Sequence, residues 1–101
     1  MKIILDDRRY VPGDSPYNVV RTYEECVELL RLFRRIRYIS LDYNLGTVKT
    51  GWDVLVYMAE NNIEVGQINI HSNHIVGVPR MREYAWEHFP DASITFNPLN
   101  F

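Results

Sequence analysis

Ile3-Ile4-Leu5-Asp6-Asp7-Arg8 runs three residues suited to a buried strand straight into two adjacent carboxylates and an arginine. Carboxylates are tolerated there only if the strand ends at an open edge, in reach of water, a cation or a partner. Ile39-Ser40-Leu41-Asp42 and Ile68-Asn69-Ile70-His71-Ser72 repeat the design. Three strands thus deliver acid, acid and imidazole to one rim, and the fold has to be one that gathers strand ends.

The segments between these runs supply it. Arg8 to Asn18 carries Pro12, Gly13, Asp14, Ser15 and Pro16, which is loop chemistry with no room for a proper helix. Asn18-Val19-Val20 is a short second strand. Thr22-Tyr23-Glu24-Glu25 has the form of a capping box, followed by an apolar stripe at Cys26, Val27, Leu30 and Phe33. Arg34, Arg35 and Arg37 read as the close of that helix, cations complementing its carboxyl end. Tyr38 to Leu41 is the third strand. Thr50-Gly51-Trp52-Asp53 opens a second helix with Val54, Leu55 and Met58 inward, stopped at Asn61-Asn62. Ile68 to Ile70 is the fourth strand, and Pro79 suits the first turn of a third helix containing Met81, Tyr84 and Ala85. Pro90 ends it, and Ser93 to Phe96 is the last strand. Strands alternating with amphipathic helices imply an α/β fold with a parallel sheet and helices on both faces. Ligand sites in such sheets lie beyond the carboxyl ends of the strands, where the strand order switches.

The chain has 101 residues, enough for one domain spanning 1–101 and one core. A net charge of −2 gives no general attraction to duplex DNA or an anionic membrane, so any phosphate affinity must be local. The single cysteine, Cys26, permits no internal disulfide and suits a reducing, cytoplasmic setting. It lies on the apolar face of the first helix, as a buried small residue would. The opening residues are too soon acidic for a signal peptide, and no apolar run approaches the ~20 residues of a membrane span.

Asp6, Asp7 and Asp42 crowd like charges at one rim, which a divalent cation with oxygen ligands, Mg²⁺ or Mn²⁺, would relieve. Asp7 and Asp42 are the expected ligands, with Asp6 a ligand or a neighbour; capping a turn and pairing with Arg8 or Arg80 is the alternative. His71 at a strand end is placed for proton transfer near neutral pH or for a structural role. Ser72 suits a phosphate oxygen or a turn. His74 falls in the following loop as a possible accessory group. Arg80, near the start of the third helix, would clamp a phosphate where helix amides already favour anions. Arg8, Arg9 and Arg21 follow strands as well and would join it or neutralise the aspartates. Trp52 and Tyr43 flank the rim, where an aromatic ring stacks on a base or packs on the core.

Leu5-Asp6-Asp7-x-Arg9, Arg21-Thr22, Ser40-Leu41-Asp42-x-x-Leu45-Gly46, Thr50-Gly51-x-Asp53-Val54 and His71-Ser72 followed by Gly77-x-x-Arg80-Met81 together resemble the cyclic-phosphate-processing receiver-like domain, over about residues 2 to 85. The resemblance implies a flavodoxin-like three-layer sandwich with a parallel five-stranded sheet of order 2-1-3-4-5, the first crossover helix lost and the last helix absent. It also implies a metal-dependent phosphoesterase acting on a cyclic phosphate, on an RNA end or a nucleotide, with Asp42, His71 and Ser72 at the chemistry. Two departures stand out. Family members commonly show Leu-Asp-His-Asp-Leu-Gly where this chain has Leu41-Asp42-Tyr43-Asn44-Leu45-Gly46, and Asn-Pro after His-Ser-x where it has His74-Ile75. A pseudo-receiver that binds a protein or nucleotide without turnover is the alternative these departures suggest. Ordinary receivers also place a lysine before proline after the last strand; Asn97-Pro98 stands there, which speaks against phosphoacceptor signalling at Asp42.

Overall fold

Strand pairing follows the apolar runs. In a computed structural model, which describes residues 1–101, β1 (Lys2–Leu5), β2 (Asn18–Val20), β3 (Arg35–Leu41), β4 (Glu64–Ile70) and β5 (Ser93–Thr95) form one sheet. All neighbours are parallel, in the order β2-β1-β3-β4-β5. The register matters most for the site. Leu5 aligns with Val20 on one side and Leu41 on the other, and Leu41 aligns with Ile70. One residue further along, Asp6, Asp42 and His71 therefore leave the sheet at the same height.

Three helices connect the strands: α1 (Tyr23–Leu32), α2 (Gly51–Glu60) and α3 (Gly77–His88). The steps β2 to β3, β3 to β4 and β4 to β5 all cross the sheet in one direction. Right-handed crossovers then put all three helices on one face, where α1 packs on α2 and α2 on α3. Ile3, Leu5, Ile39, Leu41, Ile68 and Ile70 from the sheet meet Cys26, Leu30, Val54, Leu55, Met58, Met81 and Ala85 from the helices. Each large apolar side chain buried there contributes roughly 1.5–3 kcal/mol. Burial pushes the Cys26 thiol up to about 12, so it behaves as a small apolar residue.

The step β1 to β2 runs the other way and would put a helix on the second face. Residues 6–17 form none, and neither do residues 96–101. Helices on both faces thus give way to helices on one among residues 1–101, because neither residues 6–17 nor residues 96–101 form a helix. Irregular chain covers it instead. Arg9 donates to the Leu99 carbonyl, Tyr17 packs edge-on to Phe101, and the Tyr17 and Tyr38 rings lie 5.7 Å apart. Ile4 and Leu99 are buried outside the helix-side core.

Two expectations are corrected. The arginines do not close α1: it ends at Leu32, and Arg35 and Arg37 belong to β3. Arg-Ile-Arg-Tyr alternates with the strand period, and Arg35 Nε meets Glu64 Oε2 of β4 at 2.7 Å. Phe33, placed in the apolar stripe, is the C-cap and 45% exposed. The start of α2 is as expected, with Asp53 Oδ2 accepting the Thr50 N–H at 2.8 Å. Asp53→Ala should cost about 1 kcal/mol, lowering the midpoint of thermal unfolding by ~4–8 °C; an unchanged midpoint would show that this cap adds nothing. No helix is long and apolar enough to cross a membrane.

Candidate functional site at the carboxyl ends of the strands

Parallel ladders place the three residues that follow β1, β3 and β4 side by side. The Asp42 N–H donates to the Leu5 carbonyl at 3.0 Å and the His71 N–H to the Leu41 carbonyl at 3.1 Å. One ligand-capable atom each from Asp6, Asp42 and His71 lies within 4.8 Å of the others. These are the tips of the three strands whose shared pattern opens the chain.

Asp6 is held in place by three hydrogen bonds. Its Oδ1 accepts the backbone N–H groups of Arg8 at 3.0 Å and Arg9 at 2.9 Å, and its Oδ2 lies 2.9 Å from His71 Nε2. Burial works to raise its pKa, but the two amides and His71 outweigh it and hold the carboxyl below the ordinary value. Asp42 is the opposite case. Burial first, and then the charge of Asp6, push its carboxyl up, only partly countered by His71, the Ser72 hydroxyl and the Tyr43 N–H. No lysine or arginine pairs with either carboxylate. Two carboxylates without a lysine or arginine partner are a donor set suited to a hard divalent cation.

The His71 imidazole is 4% exposed. Its Nδ1 lies 2.7 Å from Ser40 Oγ, so both ring nitrogens are taken by protein groups. Ser72 Oγ also accepts the His74 N–H at 3.2 Å, closing a turn beside Asp42.

The remaining candidates are spread around this centre. Asp7, expected to be a ligand, is not in the three-residue group. Its Oδ2 lies against Gly46 and 4.0 Å from Arg8 Nε. Arg8 is otherwise free, with its side chain 91% exposed. Arg21 spends its guanidinium on main chain, donating to the carbonyls of Asp6 at 3.1 Å and Arg9 at 2.6 Å, so it braces the turn that presents Asp6. Arg80, in the first turn of α3, rests on the Trp52 ring 4.6 Å from its centroid. His74 caps α3: its Nδ1 accepts the Gly77 N–H at 2.9 Å, and its ring lies 4.5 Å from that of Tyr43. Tyr43 in turn packs so closely on Gly77 that a Cβ there would fall 2.3 Å from the ring. Tyr43, His74 and Gly77 thereby fasten the loop after β3 to the start of α3.

Ser40 and Asn69 were not singled out from the sequence, yet both are buried and wired to His71. Their signal was a polar residue inside an apolar strand, in Ile39-Ser40-Leu41 and Ile68-Asn69-Ile70. Neither curated proteins nor solved structures give a match to the chain. The sequence profile of the cyclic-phosphate processing receiver domain does match, over residues 1–87, from β1 to the penultimate residue of α3. That span contains every residue of the rim, and the chain belongs to the cyclic-phosphate processing receiver domain family.

Proposed function

We propose that this domain holds a divalent cation, Mg²⁺ or Mn²⁺, on the carboxylates of Asp6 and Asp42, and with it opens a cyclic phosphate on a nucleotide or an RNA end. The observation that carries this reading is Asp42: a half-buried carboxyl facing a second carboxylate, with no lysine or arginine paired to either and only His71 beside them. Family membership supplies the cyclic phosphate. A cation bound there would set positive charge against the phosphoryl oxygens and acidify water. The protein groups then divide the remaining work. Asp6, fixed by two amides and His71, stays ionised and rigid. Ser72 and Arg80 are the phosphate-binding groups, with the exposed Arg8 at the outer edge and Asp7 beside it. Tyr43 and His74 shape the wall between the loop after β3 and α3.

A ribonucleoside cyclic phosphate incubated with the protein and Mn²⁺ should convert to a phosphomonoester, followed by phosphorus NMR. Asp42→Ala should slow this at least ~100-fold, the loss expected when a group organising transition-state charge is removed. No conversion by folded protein with either metal would end the hydrolase reading.

One observation favours a second reading, a binding module without turnover. Neither ring nitrogen of His71 is free to pass a proton to a leaving group. Binding of the cyclic phosphate without conversion would select this reading, and such a module could also serve a protein partner.

A further inference from the structure

Polar side chains behind His71 form a hydrogen-bonded relay whose direction is set by the main chain. Asn69 Oδ1 accepts the Asn97 N–H at 2.9 Å and the Thr95 hydroxyl at 2.6 Å. Its Nδ2 donates to the Asn97 carbonyl at 2.8 Å and to Ser40 Oγ at 3.0 Å. A backbone N–H only donates and a carbonyl only accepts, so this amide has one orientation. Ser40 Oγ receives that N–H and has one O–H to give, and of its two neighbours, the Tyr38 hydroxyl and His71 Nδ1, the ring nitrogen lies 2.7 Å away. At the far end, Asp6 Oδ2 is a carboxylate oxygen 2.9 Å from His71 Nε2 and calls for a donor. Asp6 calls for a proton on Nε2, and a Ser40 hydroxyl turned to the ring is matched by a bare Nδ1. Ser40 is fully buried and Asn69 is 1% exposed, so water does not compete for these bonds.

We propose that Ser40 and Asn69 are positioning residues that fix the His71 ring with its Nε2–H a dedicated donor to Asp6 and its Nδ1 the acceptor of the Ser40 hydroxyl, and that the main chain of Asn97 sets the direction of the relay. Asn97 lies beyond the 1–87 span that defines the family in this chain, so the carboxyl-terminal segment is part of the apparatus behind the rim. In this arrangement the imidazole orients a carboxylate and presents no lone pair to a cation. Any consequence for cation affinity rests on the site proposed above; the tautomer does not.

Long-range proton–nitrogen NMR on the full chain reads the ring directly. The wild-type protein should show His71 with a protonated Nε2 and a bare Nδ1. Asn69→Asp puts a carboxylate where the amide N–H was, so the Ser40 O–H turns to it and offers a lone pair to the ring. A proton should then appear on Nδ1. Ser40→Ala should lose the single-tautomer pattern and Ser40→Thr, which restores the hydroxyl, should keep it. A purely structural role would leave the ring pattern of every folded variant alike. A wild-type ring protonated on Nδ1, or a Ser40→Ala or Asn69→Asp ring identical to wild type, overturns the proposal. Mn²⁺ titration of the same variants separates the two claims: a changed ring with wild-type Mn²⁺ affinity supports the relay and counts against the cation site.

Discussion

Mg²⁺ or Mn²⁺ added at neutral pH should raise the melting temperature of the domain, and Asp42→Asn should abolish the rise. A ligand that binds only the folded state adds about 2.7 kcal/mol at a hundred times its Kd, which is ~10–20 °C for a chain of this size. The pH dependence follows from the two carboxylates, which are shifted in opposite directions. The Asp42 carboxyl lies above its ordinary 3.8, because of burial and then the charge of Asp6. Between 3.8 and that raised value the folded state binds more protons than the unfolded one, so this residue makes stability fall as pH rises through the window. Asp6 lies below 3.8; its contribution is present above that pH and is lost as pH falls through the lower folded value. Without added cation, the two windows leave the combined contribution greatest near the ordinary carboxylate value. A cation stabilises ionised Asp42, so its effect should be large at neutral pH and fade once Asp42 is protonated. Asp42→Asn, relieved of the repulsion, should melt higher than wild type in metal-free buffer at neutral pH. A cation-induced rise that survives in Asp42→Asn would place the ion elsewhere, and no rise with either metal would remove the site.

The sequence made the convergence of Asp6, Asp42 and His71 legible because parallel strands ending in register need only three similar apolar runs to be recognised. It also showed the caps at Thr22 and Thr50, since capping is local chemistry within four residues. What stayed hidden was non-local. The extension of β3 back to Arg35 depends on its ladder partner Glu64, almost thirty residues later, and the capping role of His74 depends on where Gly77 turns. The direction of side chains around one bend decides whether Asp6 or Asp7 faces Asp42, and no spacing rule encodes that. Arg21 and Arg80 illustrate the same limit. Both lie where the chain order places them, but only the structure shows that Arg21 donates to two carbonyls while Arg80 rests on the face of Trp52. Ser40 and Asn69 were visible as polar interruptions, yet their meaning needed Asn97, the far partner that fixes their orientation.

Gly51→Ala should be among the most destabilising single substitutions in the chain, by about 3 kcal/mol or more, a fall of more than ~10 °C. In most helices this change is mildly favourable, by up to ~1 kcal/mol, because alanine has less backbone entropy to lose. Here a Cβ would stand 2.0 Å from the Asp42 carbonyl oxygen and 3.1 Å from Met81 Cε. The methionine end can swing away. The carbonyl cannot, because the Asp42 N–H is bonded to Leu5 and the Tyr43 carbonyl accepts the Gly51 N–H at 2.9 Å. Relief requires α2 to lift from the end of β3, which breaks that bond and shifts the Asp42 carboxylate away from Asp6. The substitution should therefore weaken Mn²⁺ binding as well as lower the melting temperature. Gly13→Ala is the matched control: nothing lies within 4 Å of its added Cβ, and its effect should stay within about 0.5 kcal/mol. A Gly51→Ala protein as stable as the Gly13→Ala control, with undiminished Mn²⁺ affinity, would show that α2 does not abut Asp42, and the geometry on which the rim depends would fall with it.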